Sequence, residues 1–367
     1  MKVGILLNVI NEHSGARAAI KLGEVLGNLP GVEVTFFGTE QLLDRGTLER
    51  LRRKFNVYLF SSPKIISFSL INYIRSEKPD VISAHSSLRI LISAYLSGTK
   101  IVRTDYGTQF PSYNGDFGTW KVSLQKKLIN VAADVYVYVR DFLKFCFSHH
   151  TLAISKGDAA QIANLYFKKV PNVYLGCDNF EIPSLASGTA DDTVRILSVS
   201  RFVPYKGFHI LIEAFNKLNV SYPRTRLILI GGQGRGEYFE YLKSLIGNNN
   251  NIEIVFDPDD TMLTKSYQTS QIYASCTKWE GLGLPFLEAS RFGLPTLGLS
   301  CLGTANEVIL DGITGFICND TDLYFKLEQL VRDKNLRQSL GENGREFARA
   351  FEWKGTAASY IKFFQSH

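Results

Sequence analysis

Two glutamates eight residues apart, Glu280 and Glu288, enclose a stretch with two glycines and a proline. Proline is favoured at the first helical position because its missing N–H would have no partner there. The sequence therefore predicts a helix that begins at Pro285 and carries Glu288 in its first turn. Gly281 and Gly283 allow close backbone approach to a ligand, and a helix N-terminus favours an anion. The pattern indicates either a loop that binds a phosphorylated ligand or a helix start whose glutamate only complements the helix dipole.

Two cations follow a strand-like stretch earlier in the chain. Arg201 comes directly after residues 195–200, and Lys206 follows five positions later. A planar guanidinium and a compact ammonium suit a diphosphate whose charge must be stabilised without a metal. The alternative interpretation is a helix-capping arginine and an ordinary loop lysine.

A glycine-rich turn over residues 231–236 follows the next predicted strand, and its N–H groups could form an anion-binding nest. It is neither a dinucleotide fingerprint nor a P-loop, because Glu237 stands where the last glycine would be and no G-K-S/T follows. Asp257 and Asp259 could hold a divalent metal beside a diphosphate. We interpret them as turn residues, because D-P-D-D after an apolar strand is typical of a turn.

Composition indicates a globular protein with two domains, since 367 residues with 45% hydrophobic and 21% charged side chains can fill two cores. No uncharged apolar run reaches the length of a membrane span. Met1 leads straight into a strand-like run and not into a signal peptide, so we expect a cytoplasmic protein. The five cysteines are odd in number and form no CxxC pair, which argues against a zinc site or a disulfide framework. We expect them to be reduced core residues.

The basic charge is confined to the first half. Residues 1–185 contain 22 Lys and Arg against 15 Asp and Glu, or +7, and the remainder contains 19 against 20, or −1. Basic residues alternate with aromatics around residues 50–68 and 121–147. This suits an anionic membrane surface or a nucleic acid, whereas the simpler interpretation is a solvated helix face. No nucleic-acid-binding motif is present, so we expect no nucleic acid partner and keep peripheral contact with an anionic membrane as a hypothesis.

Short apolar stretches alternate with helical ones, which is typical of parallel sheets covered on both faces. The predicted strands are residues 3–7, 32–37, 81–84, 100–104 and 152–155, then 195–200, 226–230, 252–256, 271–275, 296–299 and 315–318. Turn and linker residues interrupt the pattern at 181–193. The sequence predicts an α/β protein with two tandem doubly wound, Rossmann-like domains, residues 1–180 and 194–351. We expect an active-site cleft between these domains, facing the carboxyl ends of the strands.

The second half resembles the retaining glycosyltransferases of the GT-B fold, the large family 4 group. The resemblance rests on four runs in the family's order and spacing, which are residues 198–207, 231–234, 280–289 and 306–316. It extends more weakly to residues 8–15, 79–85 and 169–180, and residues 352–367 look like the family's closing helix, which packs back on the first domain. The resemblance implies transfer of a sugar from a UDP- or GDP-linked donor to a hydroxyl acceptor with retention, and no metal or other cofactor.

The resemblance also assigns roles to residues. Glu288 would accept hydrogen bonds from both ribose hydroxyls, and Glu280 would contact the transferred sugar. Arg201 and Lys206 would neutralise the diphosphate, so the two glutamates are not an acid/base pair. Backbone groups that bind the donor are expected at Gly15, Gly232, Gly234, Gly281, Leu282, Gly283 and Leu284.

One position departs from the family pattern. A loop of the first domain often carries a histidine that contacts the sugar, and Tyr106 stands at the matching place. A phenol can donate a hydrogen bond to a sugar hydroxyl but cannot carry positive charge at neutral pH. Asp105 and His85 are candidates on the acceptor side, although a lone strand histidine is more often structural.

Other functions stay open at this point. A GT-B-fold epimerase or sugar phosphorylase would use the same donor site, and a nucleotide-sugar-binding subunit without catalysis is suggested by Tyr106 alone. An NAD-dependent oxidoreductase is disfavoured by the missing dinucleotide fingerprint. The expected partners are a nucleotide sugar and a hydroxyl acceptor, which could be a sugar, a glycan or a lipid-linked molecule.

Overall fold

The computed structural model describes residues 1–11, 14–41, 43–62, 64–110, 123–177, 192–232, 236–300 and 305–366. The chain divides into two compact units. The first unit comprises Met1–Thr108, Val135–Gly176 and Trp353–His367, and the second comprises Gln109–Asp134 and Cys177–Glu352. The predicted linker at residues 181–193 lies outside the described residues except for its last two positions.

A parallel six-stranded sheet forms the centre of the first unit. Its strands are β1 Lys2–Leu7, β2 Glu33–Thr39, β3 Asn56–Phe60, β4 Val81–His85, β5 Ile101–Asp105 and β6 His150–Ala153. The helices around it are α1 Ser14–Gly27, α2 Arg45–Arg52, α3 Phe68–Glu77, α4 Leu88–Tyr95, α5 Leu124–Cys146 and α6 Lys156–Tyr166, where α5 starts in the range assigned to the second unit. The strand order is β3-β2-β1-β4-β5-β6, so the direction of winding reverses between β1 and β4.

The edge strand β3 is missing from the prediction made from sequence. It is only partly buried, with Val57, Tyr58 and Leu59 at intermediate exposure. Three basic residues, Arg52, Arg53 and Lys54, come shortly before β3, so the sequence predicts a basic and aromatic patch there and not a strand. An edge strand lacks the continuous apolar run that identifies a central parallel strand.

The C-terminal helix α14, Trp353–Ser366, packs against α1 of the first unit. Trp353 is 1% exposed and lies so close to Gly176 that a Cβ there would be 2.4 Å from the Trp353 backbone nitrogen. The hydroxyls of Tyr360 and Thr104 share a hydrogen bond of 2.8 Å, which joins α14 to β5. The end of the chain therefore completes the core of the first unit.

The second unit repeats the same topology. Its strands are β7 Val194–Val199, β8 Thr225–Gly231, β9 Ile252–Phe256, β10 Ile272–Ser275, β11 Thr296–Leu299 and β12 Gly315–Cys318. Its helices are α7 Phe208–Ser221, α8 Glu237–Ile246, α9 Asp260–Thr269, α10 Leu284–Arg291, α11 Ala305–Val308, α12 Leu323–Arg332 and α13 Lys334–Ala348. The sheet is parallel with the order β12-β11-β10-β7-β8-β9. All six strands predicted for this half are present, and the prediction of two doubly wound α/β domains is confirmed.

Two local predictions need correction. Helix α10 begins at Leu284, and its N-cap Gly283 has a φ of 85°, so Glu288 is the fifth helical residue and lies beyond the first turn. Cys146 on α5 is exposed, whereas Cys177, Cys276 and Cys318 are buried, so the prediction of core cysteines is wrong for Cys146. Among the described helices, none has the length and apolar character needed to cross a membrane.

Candidate active site

The candidate residues of the second unit follow the two strands at which its winding reverses. Arg201 and Lys206 come after β7, and Glu280 comes after β10. Both strands are parallel neighbours, so the loops at their carboxyl ends meet. The crevice at such a reversal is where doubly wound sheets bind ligands. The topology therefore gathers two cations and a carboxylate where a ligand is expected.

Tyr205 organises the two cations. Its hydroxyl accepts a hydrogen bond from Nη2 of Arg201, and the Nζ of Lys206 lies 5.0 Å from the centre of its ring. Burial raises the pKa of Tyr205 to about 12, with a smaller lowering by Arg201 and a raising by Glu280. The phenol therefore stays protonated at neutral pH. Tyr205 was not predicted from the sequence, although its position between the two predicted cations was a signal.

Lys206 and Glu280 form a buried ion pair. Nζ lies 2.5 Å from Oε1, and the side chains are 7% and 17% exposed. Lys206 ends a 3₁₀ turn, Pro204–Lys206, and is followed by Gly207 at a φ of 67°. A Cβ on Gly207 would lie 2.0 Å from the carbonyl oxygen of Cys276, so only glycine brings this turn against the end of β10. Removing one partner of such a pair leaves a costly buried charge.

Glu288 is held by a tyrosine. Tyr267, which is fully buried, donates a hydrogen bond of 3.0 Å to Oε2 of Glu288, and its ring stacks on that of Phe292 with centroids 5.2 Å apart. Burial, and to a smaller extent the charges of Glu280 and Glu288, raise the pKa of Tyr273 well above its usual value. The hydroxyl of Tyr273 donates a hydrogen bond of 3.3 Å to the carbonyl oxygen of Val199. Neither tyrosine was singled out from the sequence.

Close packing explains glycines in the turn after β8. A Cβ on Gly231 would lie 1.8 Å from the carbonyl oxygen of Ser200, and one on Gly232 would lie 2.3 Å from a carboxylate oxygen of Asp257. Gly234 lies outside the described residues. Glycine at position 231 is therefore required by the fold whether or not a donor binds there, whereas a side chain at position 232 would have to displace the Asp257 carboxylate.

The residues Asp257 and Asp259 form a turn and a helix cap. Asp257 has a φ of 40°, and Asp259 is the N-cap of α9, where its side chain accepts a hydrogen bond of 2.7 Å from the N–H of Met262. The interpretation of this run as a turn is confirmed.

The first unit contains a pocket of about 460 Å³ at its own reversal between β1 and β4. Four predicted residues, Gly15, His85, Asp105 and Tyr106, all line it. A Cβ on Gly15 would meet nothing closer than the Tyr106 ring at 3.9 Å, so packing within the protein does not demand glycine at this position. Ligands commonly occupy pockets of this size.

His85 and Tyr106 form a hydrogen-bonded pair in this pocket. Nδ1 of His85 lies 2.7 Å from the Tyr106 hydroxyl, and Nε2 lies 3.0 Å from Oγ of Ser83. The Tyr106 hydroxyl also points at the carbonyl oxygen of Gly15, at 3.5 Å. Burial lowers the pKa of His85 to about 3 and raises that of Tyr106 well above its usual value. Both groups are therefore neutral at physiological pH.

Asp105 is occupied by neighbouring groups. Its Oδ2 lies 2.5 Å from Nη1 of Arg103, and its Oδ1 accepts a hydrogen bond of 2.9 Å from the N–H of Gly107. Three further residues that line the same pocket were not predicted from the sequence, namely Arg103, Arg140 and Lys144. A signal for Arg103 was available, because charged residues two apart in an apolar strand share one face of the sheet.

Residues 181–347 match the family of glycosyl transferases group 1. An uncharacterised glycosyltransferase of Methanocaldococcus jannaschii is 26% identical over 46% of this chain and 47% of its own length. The capsular polysaccharide biosynthesis glycosyltransferase CapM of Staphylococcus aureus is 24% identical over 84% of this chain and 83% of its own length. The crystal structure of Anabaena HepE in complex with UDP and glucose has a TM-score of 0.73 at 16% identity and covers 100% of both chains.

These similarities show what the chain resembles and which fold it has. Residues 181–347 resemble the glycosyl transferases group 1 family, and both units have the fold of GT-B glycosyltransferases. The predicted resemblance to GT-B-fold glycosyltransferases is confirmed, whereas retention stays a prediction. The matched part spans about half the length of the first of these relatives.

Proposed function

We propose that this protein is a retaining glycosyltransferase that moves a sugar from a nucleotide diphosphate sugar to a hydroxyl acceptor. The observation that carries the proposal is the convergence of Arg201, Lys206 and Glu280 at the reversal point of the second sheet, with Glu288 on the helix α10 that follows the Glu280 loop. The similar HepE structure contains UDP and glucose, which supports a nucleotide sugar as the donor class. Retention rests on the family resemblance.

Each residue of the second unit has a role that fits its surroundings. Arg201 and Lys206 stabilise the charge that develops on the leaving diphosphate, and removal of one such contact is expected to lower turnover about 10²-fold. Glu288 accepts hydrogen bonds from the ribose hydroxyls, and Glu280 contacts the transferred sugar. The backbone at Gly281, Leu282, Gly283 and Leu284 faces the phosphates at the start of α10.

In the first unit, Tyr106 takes the place of the family's histidine. Its hydroxyl, held by His85 and close to Gly15, is positioned to exchange a hydrogen bond with a sugar hydroxyl in the pocket. Neither residue is charged, so neither supplies electrostatic stabilisation. Asp105 acts through Arg103 and the Gly107 turn and not as a base.

We propose further that transfer needs no metal, because two fixed cations are available for the diphosphate. The test is transfer activity before and after treatment with EDTA. We expect equal rates, and loss of activity that Mg²⁺ or Mn²⁺ restores would contradict this part of the proposal.

The test of the main proposal is a screen of UDP- and GDP-linked sugars for thermal stabilisation, followed by transfer assays with the sugar that binds. A ligand that binds the folded state raises its apparent stability by mass action. We expect one donor to stabilise the protein and Arg201→Gln to remove most of the effect. Arg224→Gln serves as the control, because Arg224 is 80% exposed in an exposed ion pair. An epimer formed from donor alone would instead favour the epimerase alternative.

A specific observation favours contact with an anionic membrane. Helix α5 exposes apolar side chains at Leu128, Val131, Val135, Val139 and Phe142, which are 63%, 58%, 60%, 47% and 40% exposed. Spacings of three and four residues place them on one face. The helix contains four basic and two acidic residues. An apolar helix face with a basic excess suits the surface of an anionic bilayer.

Flotation with vesicles of phosphatidylcholine and phosphatidylglycerol tests this contact at low and high salt. We expect binding at low salt, a weaker but remaining apolar contribution at high salt, and loss of binding in Val135→Glu/Val139→Glu. Val220→Glu is the matched control, because Val220 is an exposed valine of α7. Absence of binding at low salt would rule the membrane contact out.

A further inference from the structure

Helix α5 has two different faces in the first unit. Val135, Val139 and Phe142 point to solvent, whereas the charged residues Arg140 and Lys144 line the 460 Å³ pocket. The usual arrangement of a surface helix is the opposite, with apolar side chains inward and charged ones outward. The helix therefore presents charged side chains to the pocket and apolar side chains to the surroundings of the protein.

The pocket holds three cations and two carboxylates. The Asp141 carboxylate accepts hydrogen bonds from Nε and Nη2 of Arg140, at 2.9 and 3.0 Å. Nζ of Lys144 lies 2.8 Å from Oδ1 of the same carboxylate. Asp105 pairs with Arg103. Burial would raise the pKa of Asp141, but the hydrogen bonds from Arg140 and Lys144 outweigh it and lower the pKa. Both carboxylates are thus paired with cations, and the three basic side chains outnumber the two acidic ones in the lining.

Arg103 has a donor without a partner. It is 3% exposed, its Nη1 binds Asp105, its Nε donates to Oγ1 of Thr151 at 3.4 Å, and its guanidinium stacks over Phe145 at 4.5 Å. Its Nη2 has no hydrogen-bond partner among the residues that the structure describes. A buried N–H without a partner is costly. Nη2 is covered by neighbouring atoms, so a small shift of the Arg103 side chain would be needed for a ligand oxygen in the pocket to pair with it.

From these observations we propose that the first-unit pocket binds a phosphate or diphosphate group of the acceptor, with Arg103, Arg140 and Lys144 as its cations. The inference rests on the proposed function, because it names the chemical class of the molecule that receives the sugar. A guanidinium fork and an ammonium are the side chains that recognise phosphate oxygens. The apolar outer face of the same helix favours a lipid-borne phosphate over a soluble sugar phosphate as its source.

The test measures binding of inorganic pyrophosphate to the full chain by calorimetry, in an Arg201→Gln background. This background removes a main cation of the donor site, so that the pocket of the first unit dominates the signal. We expect pyrophosphate to bind, and Lys144→Gln to weaken it about tenfold or more, as expected for one charge-assisted hydrogen bond. Lys144 is chosen because Asp141 keeps both bonds to Arg140 when the lysine is removed. The matched control is Lys169→Gln, an exposed lysine outside this pocket.

A second variant, Arg103→Lys, keeps the positive charge and removes the planar fork. We expect it to weaken pyrophosphate binding as well. Farnesyl diphosphate and glucose 1-phosphate distinguish the two sources of the anion, since tighter binding of the first indicates a lipid-borne acceptor and tighter binding of the second a soluble one. Pyrophosphate affinity that is unchanged in Lys144→Gln, or absent in the Arg201→Gln background, would overturn the proposal.

The donor screen keeps this result separate from the proposed function. Lys144→Gln with intact Arg201 should retain its stabilisation by the nucleotide sugar. If no nucleotide sugar stabilises any variant while pyrophosphate still binds through Lys144, the proposed function fails and the anion site stands.

Discussion

The two glutamates of the second unit are held by different chemistry. Glu288 accepts a hydrogen bond from the neutral phenol of Tyr267, whereas Glu280 is paired with the ammonium of Lys206. We expect Glu288→Ala to abolish donor binding, because two ribose hydroxyls need a carboxylate with two acceptor oxygens. Glu280→Gln keeps the shape of the side chain and should mainly lower turnover. Titration calorimetry measures the donor affinity of Glu288→Ala, and steady-state kinetics measures the turnover of Glu280→Gln.

The control for this pair is Glu253→Ala, since Glu253 is an exposed residue of β9. Glu280→Gln also removes the partner of a buried lysine and should therefore destabilise the protein. Its kinetics are best measured at a temperature well below its unfolding transition. Unchanged donor affinity in Glu288→Ala would show that this residue does not hold the ribose.

His85 makes stability depend on pH. Burial lowers its pKa to about 3, against about 6.5 in the unfolded chain, so the unfolded state binds more protons between these values. The free energy of unfolding therefore falls as the pH falls, by about 2 kcal/mol between pH 6.5 and 5 from this residue. Urea unfolding at both pH values should show a smaller loss for His85→Gln than for the wild type.

His209 provides an independent check of the same effect. Burial lowers its pKa to about 4, followed by a smaller lowering from Lys278. His209→Gln should therefore also reduce the loss of stability at low pH, and the double variant should lose least. Parallel pH profiles for the wild type and both variants would contradict the burial of these imidazoles as the cause.

At the scale of elements, the turn between β7 and α7 depends on one glycine. Gly207 combines a φ of 67° with a Cβ position 2.0 Å from the carbonyl oxygen of Cys276. We expect Gly207→Ala to lower the free energy of unfolding by about 2–4 kcal/mol, from backbone strain and overpacking together. It should weaken donor binding as well, because Lys206 is the preceding residue.

Gly355 is the matched control for this substitution. It lies in α14 and has nothing within 4 Å of its Cβ position. Gly355→Ala should raise stability by roughly 0.5–1 kcal/mol, because alanine is the better helix former. Urea unfolding measures both variants, and the two substitutions are expected to change the free energy of unfolding in opposite directions. A harmless Gly207→Ala would show that the turn can relax away from β10.

The elements themselves were predictable to different degrees. The six strands of the second unit follow from apolar runs bounded by turn residues, because a strand covered on both faces has few other sequence signatures. Edge strand β3 was missed because it is only partly buried and so lacks a continuous apolar run. The start of α10 was predicted one residue late, since Gly283 caps the helix and Pro285 takes its second position.

At the scale of the molecule, the first unit is closed by the end of the chain. Trp353 is 1% exposed against Gly176, and Tyr360 bonds to Thr104 of β5. We expect Trp353→Ala to destabilise the first unit by about 3–5 kcal/mol, which is typical of removing a buried large aromatic side chain. Hydrogen exchange should show the lost protection in β1, β4 and β5.

The second sheet serves as the internal reference for that experiment. Protection of β7, β8 and β10 should change little in Trp353→Ala, because Trp353 belongs to the first unit. Thr356→Val is a milder comparison, which removes the hydrogen bond of 2.8 Å from Thr356 to the carbonyl oxygen of Tyr174. Equal loss of protection in both sheets would show that the units unfold together.

The candidate site likewise depends partly on local sequence signals and partly on contacts between residues that are far apart in the chain. The types and spacing of Arg201, Lys206, Glu280 and Glu288 are visible in the chain, because strand ends, glycines and a helix-starting proline are local signals. The partners of these residues are not local. Tyr267 reaches Glu288 across 21 positions, and Lys206 reaches Glu280 across 74.

Alternation of apolar stretches was therefore enough to specify two doubly wound sheets and the loops that carry chemistry. Tertiary packing decided that Tyr267 holds Glu288 and Lys206 holds Glu280, that His85 is neutral beside Tyr106, and that α5 turns its charged face into a pocket. The physical reason is that hydrogen-bond partners, burial and the resulting pKa values depend on groups brought together by folding, which the order of neighbouring residues does not specify.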